Sequence, residues 1–271
     1  MDKSTEIIDA LATEPSARVM VFIDGQNLYK TCEELFGHPL CHPHLLAQHL
    51  AGPRTKNRVG CRFYSGRPSQ NIPAERRKLR NFDRRMNVLR SNGVTVETRP
   101  LRYHWDWGHR EDLPEPGPDV KPQQVTMHPW QRPQEKGIDQ CLALDVVEFA
   151  LTDLFEVAIV VSLDRDLFEI PRTVRNLRRY LQHPVRLEAA VPVAEGLEFP
   201  KTISGFSHTH QITPELFGLI RDDTDYTVDD ASWSPPTVPG TLDEARQALD
   251  SSTASSETSS AQGSADPSAQ A

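Results

Sequence analysis

Two stretches of strand length constrain this chain most. Val19-Met20-Val21-Phe22-Ile23 and Val157-Ala158-Ile159-Val160-Val161 are apolar at every position. A strand with no polar face has no face for solvent, so its sheet must be covered on both sides. The segments between supply the covers. Residues 26–36, 42–50, 73–92, 137–152 and 166–181 read as helices, and 58–64, 94–98 and 185–190 as further strands. The 73–92 helix carries Leu79, Phe82, Met86 and Leu89 on one stripe, and the 166–181 helix carries Leu167, Ile170, Val174, Leu177 and Leu181. A last strand is expected at 208–212, with a helical turn at 214–219. Apolar strands alternating with amphipathic helices specify an α/β fold around a mainly parallel sheet.

Charge divides the chain. The whole-chain net charge is −8 and only 37 % of the 271 residues are hydrophobic, against the usual globular ~45–50 %. Read whole, that balance opposes a nucleic-acid partner. Residues 222–271, however, hold ten acidic residues against Arg246 alone, a balance of −9 that leaves residues 1–221 at +1. The end of this segment is almost all Ser, Ala, Thr, Gln and Gly. It has too little apolar surface to offset its ordering entropy. The expected organisation is a flexible leader over 1–17, one folded body over 18–221, and an acidic disordered tail over 222–271 with a transient helix at 242–249. Six prolines between 106 and 133 predict a long loop there, of the kind that serves as a lid or binding element. The sequence shows no secretory signal and no apolar run of membrane-spanning length. With four cysteines, it is expected in the reducing cytoplasm with free thiols.

Both apolar strands end in aspartate. One continues as Asp24-Gly25-Gln26-Asn27, the other as Ser162-Leu163-Asp164-Arg165-Asp166. Ligands of such sheets sit beyond the carboxyl ends of the strands. Asp139 lies in the first turn of the 137–152 helix, near the face that carries Leu142 and Val146. A lone aspartate at such a position is more often a helix N-cap, and Asp24 or Asp166 alone reads that way. Several carboxylates converging on one cleft either share protons or hold a divalent cation. Oxygen donors without a Cys/His set favour Mg²⁺ or Mn²⁺.

These residues resemble the NYN domain, a branch of the PIN-like nuclease superfamily. Phe22-Ile23-Asp24-Gly25-Gln26-Asn27-Leu28-Tyr29 is similar to the family's D-G-x-N-L opening. Lys136-Gly137-Ile138-Asp139 with Leu142 and Asp145 is similar to K-G-x-D-x-x-L-x-x-D. Val160-Val161-Ser162-Leu163-Asp164-Arg165-Asp166-Leu167 is similar to S-G-D-x-D-F. The resemblance runs from about residue 18 to 212 and implies a three-layer α/β/α sandwich with metal-dependent, usually endonucleolytic, RNA cleavage. Carried over by position, Asp24, Asp139, Asp164 and Asp166 are the catalytic and metal-binding acids. Asn27 positions the first acid or a water. Ser162 hydrogen-bonds within the site, and Lys136 contacts a phosphate or pairs with an acid. Asp145, two turns along its helix, is expected outside the ligand set. Leu163 departs from the family's glycine and Leu167 from its aromatic. Arg165 fills the variable position and faces the acids or the substrate.

The expected partner is RNA, single-stranded or structured. Arg77, Arg80 and Arg84 form a row on the 73–92 helix that suits a phosphate backbone and equally suits a solvated helix face. Arg172, Arg175, Arg178 and Arg179 repeat the pattern on the 166–181 helix. Residues 99–107 mix Arg, Tyr and Trp, which fits base stacking or a loop anchored by buried aromatics. Cys32, His38, Cys41, His42 and His44 are irregularly spaced, with no paired C-x-x-C, so a helix start is favoured over structural zinc. The rival functions are a non-catalytic NYN module that binds RNA or a protein, and a phosphohydrolase of small phosphate esters. A homodimer and a protein partner are left open.

Overall fold

A computed structural model describes residues 17–54, 59–108, 128–194 and 203–261. The expected leader up to residue 16, the centre of the proline-rich segment (109–127) and the final 262–271 lie outside the described residues. The strands are β1 (Val19–Asp24), β2 (Gly60–Arg67), β3 (Thr95–Pro100), β4 (Arg102–Gly108), β5 (His128–Gln134), β6 (Val157–Val161), β7 (Arg186–Pro192) and β8 (His208–Ile212). The α-helices are α1 (Gly25–Phe36), α2 (Pro43–Ala51), α3 (Arg76–Ser91), α4 (Ile138–Leu151), α5 (Glu169–Leu177), α6 (Pro214–Ile220) and α7 (Leu242–Ala261).

Six strands form one sheet in the order β3-β2-β1-β6-β7-β8, with every neighbouring pair parallel. The two apolar strands, β1 and β6, are its centre. Alternation along β1 divides the core between the two faces. Val21 and Ile23 join Leu28, Leu45, Met86 and Leu89 from α1, α2 and α3 on one side. Phe22 joins Leu142 and Val146 of α4 and Ile170 and Val174 of α5 on the other. Helices cover both faces, so the fold is a three-layer α/β/α sandwich. The expected 166–181 helix is broken into a 3₁₀ turn (Arg165–Phe168), α5, and a second 3₁₀ turn (Arg178–Tyr180).

Two expectations change. The proline-rich segment is bounded by structure, because β4 and β5 pair antiparallel from Arg102↔Gln134 to Gly108↔His128. Its prolines Pro129 and Pro133 stand on a strand of a two-stranded ribbon, where the missing donors can face outward. The acidic tail is also ordered along much of its length. After α6 the chain bridges back to Cys41 through Arg221. Asp222 is then buried at 1 % exposure, with its carboxylate accepting from Tyr226 Oη at 2.9 Å and from Thr224 N at 3.1 Å. Further on, Pro239 O lies 2.8 Å from His44 Nε2, Gln48 Nε2 donates to Gly240 O, and α7 buries Ala245 against the core beside α2 and α6. Composition misreads this segment because a few apolar residues (Tyr226, Leu242, Ala245) and one buried carboxylate pin a chain that is otherwise polar.

Candidate active site

The register of β1 on β6 builds the site. Ile23 lies opposite Val161, so the next residues, Asp24 and Ser162, emerge side by side at the carboxyl edge. Ser162 Oγ donates to Asp24 Oδ2 at 3.2 Å and accepts from Asp164 N at 3.0 Å. Asp24 Oδ1 accepts from Asn27 N at 3.0 Å, so the residue also caps α1. Asn27 Oδ1 accepts from Leu163 N at 2.8 Å, tying the two strand-end turns together. Asn27 therefore holds the frame of the site through both its backbone and its amide. Gly25 is needed between them, because a Cβ there would lie 2.7 Å from Tyr64 O and strike the Phe63 ring.

The third aspartate comes from the helix layer. Leu142 and Val146 seat α4 against the sheet, and its first turn brings Asp139 to the same edge. Carboxylate oxygens of Asp139, Asp164 and Asp166 lie within 4.8 Å of one another, the only such group able to hold a metal among the described residues. Asp164 Oδ1 accepts from Asp166 N at 2.9 Å and so caps the 3₁₀ turn. Asp24 sits behind this trio, 6 % exposed. Burial pushes its carboxyl above the ordinary value, helped by repulsion from Asp139 and Asp164 and opposed by the bonds from Asn27 and Ser162. The donors are all hard oxygens, and the repulsion is of the kind a divalent cation relieves, so the residues fit Mg²⁺ or Mn²⁺. Leu163 fits where the family has glycine, since among the described residues Asp153 alone combines a side chain with positive φ.

Sequence reasoning missed Glu135. It follows β5, its Oε2 accepts from Gly66 N at 3.1 Å, and a Cβ on Gly66 would lie 2.8 Å from that oxygen. Burial, followed by the charges of Asp24 and Asp139, pushes Glu135 up to about 7. Its one signal is position, immediately before the Lys136-Gly137 helix start and at the end of a segment dominated by proline.

The other expected site residues are placed as follows. Lys136 and Arg165 are exposed beside the acids in sequence, and neither makes a side-chain hydrogen bond within the described residues. Asp145 faces away from the ligand set, accepting from Arg62 Nη2 at 2.9 Å and Tyr64 Oη at 2.7 Å. Arg77 is exposed. Arg84 is not open to substrate. It is 8 % exposed and donates to Tyr226 O at 3.0 Å, Val228 O at 2.6 Å and Asp230 Oδ1 at 2.5 Å, and its guanidinium stacks 4.7 Å from the Trp233 ring. Arg80 lies 3.5 Å from Asp230. The acidic segment thus buries one of the three arginines that composition offered to phosphate and touches a second. His42 caps α2 without a side-chain cap bond, and the Cys/His group forms no metal cluster among the described residues. No helix among them is long and apolar enough to cross a membrane.

No curated protein matches the chain. A crystal structure of a protein of unknown function from Vibrio parahaemolyticus resembles it at 18 % identity and a TM-score of 0.43, covering 73 % of this chain and 94 % of that one. The NYN domain matches residues 18–183, a span that contains all four aspartates and most of the sheet, and the chain belongs to this PIN-like, nuclease-related family.

Proposed function

We propose that the chain is a Mg²⁺- or Mn²⁺-dependent ribonuclease acting on RNA phosphodiesters. The observation that carries this reading is the convergence of Asp139, Asp164 and Asp166 within 4.8 Å at the edge where Asp24 emerges. Asp139, Asp164 and Asp166 would hold the cation, with Asp24 completing the set. A divalent cation there supplies Lewis-acid stabilisation of charge developing on phosphodiester oxygens. Ser162 and Asn27 fix the Asp24 carboxylate, so it need not reorganise as charge develops. Glu135 is the group whose carboxyl oxygen can take up or release a proton near neutral pH. Lys136 and Arg165, exposed beside the acids, are the cations that would meet the flanking phosphates, with Arg77 further along α3. Binding alone gains nothing from clustered carboxylates, which repel a polyanion, and this disfavours a non-catalytic module.

The test is incubation of purified protein with end-labelled single-stranded RNA, in Mn²⁺ or in EDTA, beside Asp24→Asn and Asp164→Asn. Cleavage is expected only from the wild type in Mn²⁺, and the product ladder reports endo- or exonucleolytic action. Cleavage that persists in both variants refutes the assignment. Intact RNA binding without cleavage supports the non-catalytic module, and hydrolysis of a small phosphate ester but not RNA supports the phosphohydrolase.

A further inference from the structure

A cavity of about 510 Å³ opens beside the acids, within the range of small-ligand sites. Gly25, Gly66 and Glu135 line it toward the aspartates. Its other walls are α1, α3 and residues 224–227 of the acidic segment, which lies outside the family match. Three features define what fits. Tyr29, Phe82 and Tyr226 present aromatic surface, and Tyr29 is 39 % exposed. Arg85 supplies positive charge from α3, beside Lys78, whose Nζ pairs with Glu75 at 3.1 Å. Arg85 makes no ion pair among the described residues, and its Nε is buried with no hydrogen-bond partner. Its guanidinium lies 5.4 Å from the Phe63 ring, which fixes the plane but satisfies no N–H. That Nε is out of a ligand's reach, but Arg85 also lines the cavity, and a guanidinium there with no carboxylate paired to it is met best by an anionic oxygen. An apolar peptide would leave that guanidinium unmet, and a bare anion would leave the aromatic walls unused. Glu135 repels an anion on the side of the acids and Asp225 on the side of residues 224–227, so the anion belongs at the α3 side.

We propose that this cavity binds one nucleotide of the strand presented to the acids, with its phosphate at Arg85 and its base against Tyr29 and Phe82. The assignment rests on the ribonuclease reading for the identity of the strand. It gives the acidic segment a place in the cleft: residues 224–227 form a wall of the nucleotide site, held there by Arg84 and Asp222.

The experiment measures binding of a fluorescein-labelled single-stranded RNA heptamer by anisotropy, in EDTA so that nothing is cleaved. It compares the full chain with Arg85→Met, Arg85→Lys and Tyr29→Ala, each checked for unchanged thermal unfolding. Arg85→Met and Tyr29→Ala are expected to weaken binding about tenfold or more, the scale of one stacked and phosphate-anchored nucleotide, with Arg85→Lys between wild type and Arg85→Met. If folded Arg85→Met and Tyr29→Ala bind the RNA as the wild type does, the cavity assignment is wrong. If adenosine 5′-monophosphate binds with the same dependence on Arg85 while the RNA does not, the strand assignment falls. Failure of the two readings is separable. RNA cleavage in Mn²⁺ with unaltered binding by the variants removes the cavity assignment alone. Arg85-dependent binding without cleavage removes the nuclease reading alone.

Discussion

Glu135→Gln is predicted to stabilise the metal-free protein at alkaline pH and to leave it unchanged at acid pH. Glu135 is half-buried next to Asp24 and Asp139, and its carboxyl rises from the ordinary 4.5 to about 7. The folded state therefore holds this proton more tightly than the unfolded chain. Below about pH 4.5 both states are protonated and the site imposes no penalty. As pH rises toward 7 the unfolded chain releases the proton first, so stability falls, and above about 7 the folded state carries the full cost of an ionised carboxylate among acids. At about 1.4 kcal/mol per pH unit the upper bound is about 3.5 kcal/mol. Partial solvent exposure of Glu135 screens the charge and lowers the expectation to about 2 kcal/mol. Glutamine keeps the shape and still accepts from Gly66 N. The assay is urea unfolding followed by tryptophan fluorescence, in EDTA, at about pH 4.5 and about pH 8. Mn²⁺ at about pH 8 is expected to shrink the difference, because a cation offsets the same repulsion. A variant that matches the wild type at both pH values, or one less stable at about pH 8, refutes the placement of Glu135 among the acids.

Three further outcomes follow from the packing. Tyr226→Phe removes a hydroxyl donor from the buried Asp222 carboxylate and is expected to cost about 1.5–3 kcal/mol in urea unfolding. A chain ending at Arg221 loses Asp222, Tyr226 and α7, and exposes the Arg84 guanidinium. Its thermal midpoint is expected to fall, and an unchanged midpoint would show that the acidic segment is dispensable to the fold. Burial alone would raise Glu188, but hydrogen bonds from His210 and Arg54 outweigh it and hold the carboxyl at about 2. That contribution is intact above about pH 4.5 and lost as pH falls through about 2. Glu188→Gln, which leaves its partly buried partners Arg54 and Arg186 uncompensated, is expected to cost about 3 kcal/mol at neutral pH by urea titration.

The parts of this fold that were legible in the sequence are those fixed by local pattern. An all-apolar strand has one solution, a covered parallel sheet, and the aspartates that follow Ile23 and Val161 then emerge at its carboxyl edge. Asp139 was legible because the Leu142–Val146 stripe fixes which way α4 turns its first residues. Glu135 was not, because its approach depends on where a two-stranded ribbon ends, a long-range matter that no residue period encodes. Arg84 was misread for the same reason. On a helical wheel it stands with Arg77 and Arg80 on the polar face, and only the return of residues 226–230 across α3 decides that it is buried.

That return also changes the meaning of the net charge. The −9 of the last fifty residues is, in its described part, not all held away from the body. Asp230 pairs with Arg84 and lies 3.5 Å from the exposed Arg80, and Asp222 is buried with Tyr226 bonded to it. The segment removes one cation, Arg84, from the surface, with backbone oxygens of Tyr226 and Val228 taking its donors, and leaves Arg80 exposed. The cations open near the acids include Arg85 in the cavity wall, Lys78 in its pair with Glu75, and Lys136 and Arg165 beside the aspartates in sequence. A continuous basic stripe would hold any polyanion along α3 at any register. A few cations beside an aromatic cavity and an acidic centre instead restrict where a phosphate can rest. Covering Arg84 therefore exchanges general affinity for placement, which the proposed phosphodiester cleavage requires, because a phosphodiester a few ångströms out of register does not react.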